Sequence, residues 1–354
     1  MMGNIHVRPG VPADDAARDR FVLEASHGTF FHLAGWRRVI ERVMGHEGCD
    51  LVAERGGTGE RELVGVLPLM RCPSLFGAGK LISMPYAVYG GPVGESPEVA
   101  LALYESAERA AVAEGARRLE LRCLHDPGLD SHDLARSELY ATFIHDLPDD
   151  PADVLARMPK KARAEARKAR ERHGLELSEG IGHLDELLRL FHRNKRDLGS
   201  PALPPALFRA LADEFGERVV VHLVRRGTEP LAAVMSFLFR DTVLAYYSGT
   251  AAGADRAYSA SNFMYLALQE WSVERGFRVF DFGRSRRDAG AFQFKVHQGF
   301  EPRPLHYRYR LIRDDAPPSL HPSNPKTKVL QDTWRRLPLW LARRLSTPVS
   351  RYLP

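Results

Sequence analysis

VVVHLVRRGTEPLAAVMSFLFRDTVLAYYSGT, residues 219–250, holds three short apolar runs broken by RRGTEP and RD. Short β-branched runs bounded by Gly, Pro and charge read as the strands of an antiparallel meander. Upstream lie HLDELLRLFHRNKRDLG (183–199) and PALFRALADEFG (205–216); downstream lies SNFMYLALQEWSVERG (261–276). Their apolar residues recur every three or four positions, the period of a helix with one buried face. FRVFDFG (277–283) follows as a further strand.

The same order occurs earlier in the chain. The helix HLAGWRRVIERVMG (32–45) precedes the strands DLVAERG (50–56), ELVGVLPLMR (62–71) and KLISMPYAVYGGPV (80–93). VALALYESAERAAVAEG (99–115) and RRLELRC (117–123) supply the next helix and strand. Both long helices end in glycine, Gly115 and Gly276, which supplies a left-handed cap. An αβββαβ order twice over predicts an α/β (α+β) protein of two mixed sheets flanked by helices. The expected domains are residues 1–150 and 151–313, followed by a Pro-rich linker and a basic amphipathic tail, 314–354.

The 354 residues suffice for two cores, and 44% hydrophobic with 27% charged residues fits a soluble globular chain. No run of 18 apolar residues indicates a transmembrane helix, and MMGNIHVRPGVPADD has no hydrophobic signal core, so a cytoplasmic location is expected. Cys49, Cys72 and Cys123 are widely spaced and suggest neither disulfides nor a zinc site. The net charge of +5 is unevenly distributed: residues 151–180, 281–313 and 314–354 together carry +12, the remainder −7. Such concentration points to anionic partners.

Two blocks add a resemblance. YGGPV (Tyr89–Val93) and DFGRS…GAFQFKVHQGFEPRPLHYRYRL, with RDLGSP (Arg196–Pro201) and PKKARAEARKARERHGL, resemble the FemAB-like members of the Fem family. These are tandem GNAT (acyl-CoA N-acyltransferase) folds, and the likeness is strongest to a subgroup found beside exopolysaccharide and PEP-CTERM genes. The resemblance covers roughly residues 20–313. It implies N-acyl or aminoacyl transfer to an amino group of a cell-envelope or exopolysaccharide precursor. It also implies no tightly bound cofactor, with aminoacyl-tRNA or acyl-CoA as donor. An acetyl-CoA-dependent N-acetyltransferase and a non-catalytic membrane-associated scaffold stand as the alternatives.

The Phe294-Lys295 pair matches a Phe-Lys pair that this family uses in transfer, which implies a catalytic Lys295. Acyl transfer to an amine builds negative charge on a carbonyl oxygen, and a preplaced cation there contributes about 3–4 kcal/mol. Arg284 and Ser285 follow the end of the FRVFDFG strand, where sheets of this kind place ligand contacts. Arg284 suits a phosphate or carboxylate. GRSRR lacks the closing glycine of a hydrolase nucleophile elbow. In PKKARAEARKARERHG, Lys160, Arg163, Arg167 and Arg170 share one helical face, and such like charges repel unless an anion covers them. A phosphorylated or lipid-linked sugar precursor, coenzyme A or a tRNA acceptor end would serve; a solvated linker helix is the structural alternative. Tyr89 and Gly91 are further substrate-site candidates through the YGGPV block.

GTAAGADRAYSASN, at the position of the GNAT pyrophosphate loop, has Gly249 and Gly253 but not the full pattern. Peptidoglycan-acting relatives carry a lysine one turn after the first helix's tryptophan; here Ile40 stands there, beside Arg37 and Arg38, and Gly94-Glu95 follows the Gly-Pro-Val turn. The acceptor therefore need not be a muropeptide. HDPGLDSHD (125–133) reads as a turn rather than a metal site. In the tail, Leu330, Trp334, Leu337, Leu341 and Leu345 recur at helical spacing beside Trp340, with Arg335, Arg336, Arg343 and Arg344 flanking and Pro338 as a kink. This pattern suits an inner-membrane surface or packing on protein.

Overall fold

The computed structural model describes residues 4–56, 61–74, 77–130, 132–317 and 325–353. The chain forms two compact units: Met1–Glu138 with Pro304–Ser319 and Arg351–Pro354, and Leu139–Arg303 with Leu320–Ser350. The first boundary thus falls at 138/139 where the sequence suggested 150. Residues 304–313, assigned above to the second domain, return to the first, because His306–Leu311 pairs antiparallel with Arg118–Cys123. Part of the expected linker, 318–324, lies outside the described residues.

In the second unit the quoted stretch forms the strands Val219–Arg226, Glu229–Phe239 and Thr242–Thr250. They are the centre of a six-stranded sheet. Leu175–Glu179 pairs antiparallel on one side; Val279–Asp281 lies parallel to Thr242–Thr250 on the other, and Ile144–Asp146 pairs with Val279–Asp281. The long helix Ala260–Glu274 covers the sheet through Phe263, Met264 and Leu268, which join Val224, Val234, Val243, Phe280 and Phe300 in one core. Gly276 takes φ +81°, the left-handed cap expected of it.

The first unit departs from its sequence reading. ELVGVLPLMR is two strands, Glu62–Leu67 and Met70–Cys72, in separate four- and six-stranded sheets. Pro68 stands between them and has no N–H for a ladder. KLISMPYAVYGGPV likewise keeps only Lys80–Ser83 and Val93–Gly94 as strands, again in different sheets. The core gathers Leu51, Val64, Leu67, Leu81, Leu119 and Leu121 beneath the helix Pro97–Ala113, whose Val99, Leu103 and Tyr104 point inward. Cys72 and Cys123 are buried, which pushes both thiols up to about 12. The chain therefore has mixed sheets flanked by helices, with two helices near its C-terminus, Pro325–Arg336 and Leu339–Ser350.

Gly249, read above as a remnant of a phosphate loop, serves packing. A Cβ there would lie 2.5 Å from the Phe191 nitrogen and 2.6 Å from the Leu190 carbonyl carbon, both backbone atoms of the helix Leu184–Asp197. Backbone cannot rotate out of the way as a side chain can. Gly249→Ala is expected to destabilise the fold by about 1–3 kcal/mol, at the upper end of overpacking effects, as a fall in thermal midpoint.

Candidate functional site

The parallel strands Thr242–Thr250 and Val279–Asp281 pair only from Thr242↔Val279 to Leu244↔Asp281, although the first strand runs on to Thr250. Beyond Asp281 the chain turns away. The Asp281 carboxylate accepts the Gly283 N–H at 2.7 Å, and Gly283 takes φ +69°, a left-handed conformation glycine adopts freely. Ser285–Arg286 then pairs with Tyr140–Ala141 instead. The two strands diverge, and the candidate side chains Lys295, Arg284 and Ser285 lie where the chain turns away.

Lys295 sits on the short helix Gly290–His297, and its side chain is buried, not solvated as an ordinary lysine would be. Its Nζ donates to the Gly283 carbonyl at 2.9 Å and the Arg284 carbonyl at 3.4 Å. The same nitrogen lies 5.1 Å from the Phe282 ring centre and 5.3 Å from that of Phe143. Phe294 packs beside it on Tyr265 and Phe282. Burial lowers the Lys295 pKa to about 7; Asp281 opposes the fall and Arg284 adds to it. The ammonium has three N–H donors, two of which these carbonyls take. The third N–H has no hydrogen-bond acceptor among the described residues.

Arg284 lies with its guanidinium 4.3 Å from the Tyr140 ring centre, and Ser285 is buried beside it. Sequence reading missed Lys195, near the end of Leu184–Asp197. Its neighbour Asn194 donates to the Thr250 carbonyl at 3.0 Å, which holds this helix end against the end of the diverging strand. The Lys195 ammonium lies 5.4 Å from the Phe191 ring centre, and burial together with Arg284 lowers its pKa. Lys195 and Lys295 thus both feel Arg284. The only sequence signal for Lys195 was its place in RNKRDLG at the end of an amphipathic helix.

On the helix Lys160–Glu171 the alanines Ala162, Ala166 and Ala169 face inward. Lys160 and Arg167 are exposed, Arg163 donates to the Ala156 carbonyl at 3.2 Å, and Arg170 pairs with Glu270. In the first unit Tyr89 is buried against Phe31, and a Cβ on Gly91 would lie 2.4 Å from the Cys123 sulfur. The YGGPV turn is tight where the chain passes close to Cys123. Ile40 is core, while Arg37 and Arg38 are neutralised by Asp15, and Arg37 also by Asp50. His125 stacks on His27. Among the described residues no group of three or more His, Cys, Asp or Glu side chains is arranged to hold a metal ion.

The start of the helix Ala260–Glu274 bears on the donor. Asp255 accepts the Ser261 N–H at 2.7 Å and its hydroxyl at 3.0 Å, and the Ser259 hydroxyl donates to Glu165. Asp255 thus takes one N–H at the start of this helix, where a pyrophosphate would require such groups free, while Glu165 takes only a hydroxyl.

Residues 156–296 match the family model of an acetyltransferase (GNAT) domain. Comparison with curated protein sequences finds no match. Among solved structures the chain is similar to FemX, with a TM-score of 0.67 and 14% identity over 87% of this chain and 98% of that one. It is also similar to a tandem GNAT protein from the clavulanic acid biosynthesis pathway, with a TM-score of 0.55 and 15% identity over 89% and 100%. A conserved Bacteroides thetaiotaomicron protein of unknown function gives 0.54 and 13% over 87% and 100%. The fold is a tandem GNAT fold, the N-acyltransferase architecture.

Lys295 is less basic folded than unfolded, so between pH 7 and the ordinary lysine value near 10.5 the folded state binds fewer protons. Stability then rises with pH across that window, and the burial penalty is fully present below it. Lys295→Met should raise the thermal midpoint at pH 6, by about 2–4 °C for each kcal/mol recovered, with the gain shrinking toward pH 10. Melts at both pH values check this.

Proposed function

We propose that the chain is a Fem-like N-acyltransferase that moves an acyl or aminoacyl group onto an amino group of a cell-envelope or exopolysaccharide precursor. The observation that carries this reading is the Lys295 ammonium, held by two carbonyls where the strands diverge, with Arg284 and Lys195 close by. The acceptor nitrogen attacks the acyl carbonyl carbon, and the π electrons move to oxygen. The third N–H of Lys295 meets that oxyanion. Collapse restores the carbonyl and expels the donor's alcohol or thiol, while the acceptor nitrogen gives up a proton. Arg284 and Lys195 neutralise a phosphate of the precursor, and Ser285 and Phe294 line the same place. Lys160, Arg163 and Arg167 are assigned to longer-range attraction of the anion.

As donor we propose an aminoacyl ester; Asp255 supports this by taking the Ser261 N–H at the helix start where a coenzyme A pyrophosphate would need it. The match of residues 156–296 to an acetyltransferase domain favours the second reading, an acyl-CoA donor. Thermal-shift titrations with acetyl-CoA and with aminoacyl-tRNA separate them: a saturable shift with acetyl-CoA alone overturns the ester assignment.

Lys295→Met is expected to lower kcat by about 10²–10³-fold, the effect of losing one oxyanion donor, with the fold intact by melting. Lys295→Arg, which stays protonated, should retain part of the rate. In the wild type kcat/KM should fall as pH rises through about 7, where Lys295 loses its proton. A rate that rises through this pH, with Lys295→Arg inactive, would make Lys295 a proton acceptor instead. Arg284→Ala should act mainly on KM.

A further inference from the structure

The helices Pro325–Arg336 and Leu339–Ser350 lie in the second unit, and both pack on Leu184–Asp197. The contact is made by small residues. Leu339–Ser350 buries Ala342, Ser346 and Ser350, one column at i, i+4 and i+8. The Ser346 hydroxyl accepts the Ala202 N–H at 3.1 Å and donates to the Ala342 carbonyl at 2.7 Å. The tail's apolar stripe is only partly covered. Trp334, Leu337 and Leu341 are half-buried, but Trp340 is 66% exposed, Leu330 71% and Val329 65%. Leu345 and Val349 are exposed as well.

Leu198 adds to this surface: it is exposed, and its carbonyl accepts a hydrogen bond from Arg335. Among the described residues, six of the eleven exposed large apolar side chains are these: Leu198, Val329, Leu330, Trp340, Leu345 and Val349. Scattered single exposed apolar residues are ordinary, whereas a concentration on two short helices calls for a partner. Residues 325–350 also carry six cations against one acid, Asp332. Arg335 pairs with that acid, and no carboxylate pairs with Arg336, Arg343 or Arg344 among the described residues.

We propose that this face docks on the surface of a bilayer containing anionic phospholipid. Trp340, Leu345, Leu330 and Val329 enter the headgroup boundary, and Arg336, Arg343 and Arg344 meet lipid phosphates. The helices lie on the bilayer; no described helix is long and apolar enough to cross one. Charge favours this occupant over a second copy of the chain, since a two-fold contact would set the same cations against each other. The apolar side chains favour it over nucleic acid, whose phosphates would leave Trp340 and Leu330 nothing to bury against. An interfacial Trp with flanking Arg is suited to the boundary, and each cation near an anionic surface contributes about 1 kcal/mol.

The test uses the full chain and vesicles of phosphatidylcholine with or without phosphatidylglycerol. Sedimentation measures binding, tryptophan emission reports burial of Trp340, and light scattering gives the oligomeric state. Binding to the phosphatidylglycerol vesicles, weakened by salt, with a blue shift that Trp340→Ser abolishes, is the expected result. Arg343→Glu/Arg344→Glu should bind at least about tenfold more weakly. Both positions are exposed, so melting curves should match the wild type. Failure of the folded wild type to bind, or equal binding to both vesicle types, overturns the proposal. So does a dimer that Trp340→Ser dissociates, which would make a second copy the occupant.

Discussion

Three pairs of residues hold the two parallel strands of the second unit together, from Thr242↔Val279 to Leu244↔Asp281, and the site depends on their separation after that point. The separation is built from both sides. Asp281 takes the Gly283 N–H and turns one strand out. The other strand is held by the helix Leu184–Asp197, which approaches so closely at Gly249 that no side chain fits. Backbone carbonyls that would otherwise enter a ladder are left to face a side chain, and Lys295 takes two of them. A lysine in this position loses its proton more easily than a solvated one, because burial disfavours its charge.

Charge separates the two units. In the first, buried cations are matched: Arg18 with Asp50, Arg122 with Glu120 at 2.8 Å, and Arg37 with Asp15 and Asp50. Burying a charge is tolerable when a partner and hydrogen bonds come with it, so these pairs are read as structure. In the second unit Lys295 is buried and Lys195 half-buried, neither hydrogen-bonded to a carboxylate among the described residues, and both lie in the field of Arg284. The fold bears a standing penalty there, of the kind that groups acting on a ligand bear.

Much of the fold was legible. Helix and strand periods, together with the caps at Gly115 and Gly276, were enough for the mixed sheets and flanking helices, and for the αβββαβ order of the second unit. The errors have local causes. Pro68 sits inside an apolar run and splits it between sheets, which hydrophobicity alone does not register. The strand His306–Leu311 crosses back to pair with Arg118–Cys123, a contact between segments nearly two hundred residues apart that no local pattern announces.

The candidate site was legible only in part. Residue type and order alone placed Lys295, Arg284 and Ser285 after an apolar strand and made the three basic concentrations visible. Tertiary structure decided which cations matter. It buried Lys295 and brought Lys195 to Arg284, while it left Lys160 and Arg167 in solvent and neutralised Arg37 and Arg38. It also showed that Gly91 and Gly249 stand where other atoms leave no room for a side chain, and that Tyr89 is buried. The physical reason is that a residue's chemistry depends on its solvent, its neighbours and the space beside it, and these are set by segments distant in sequence.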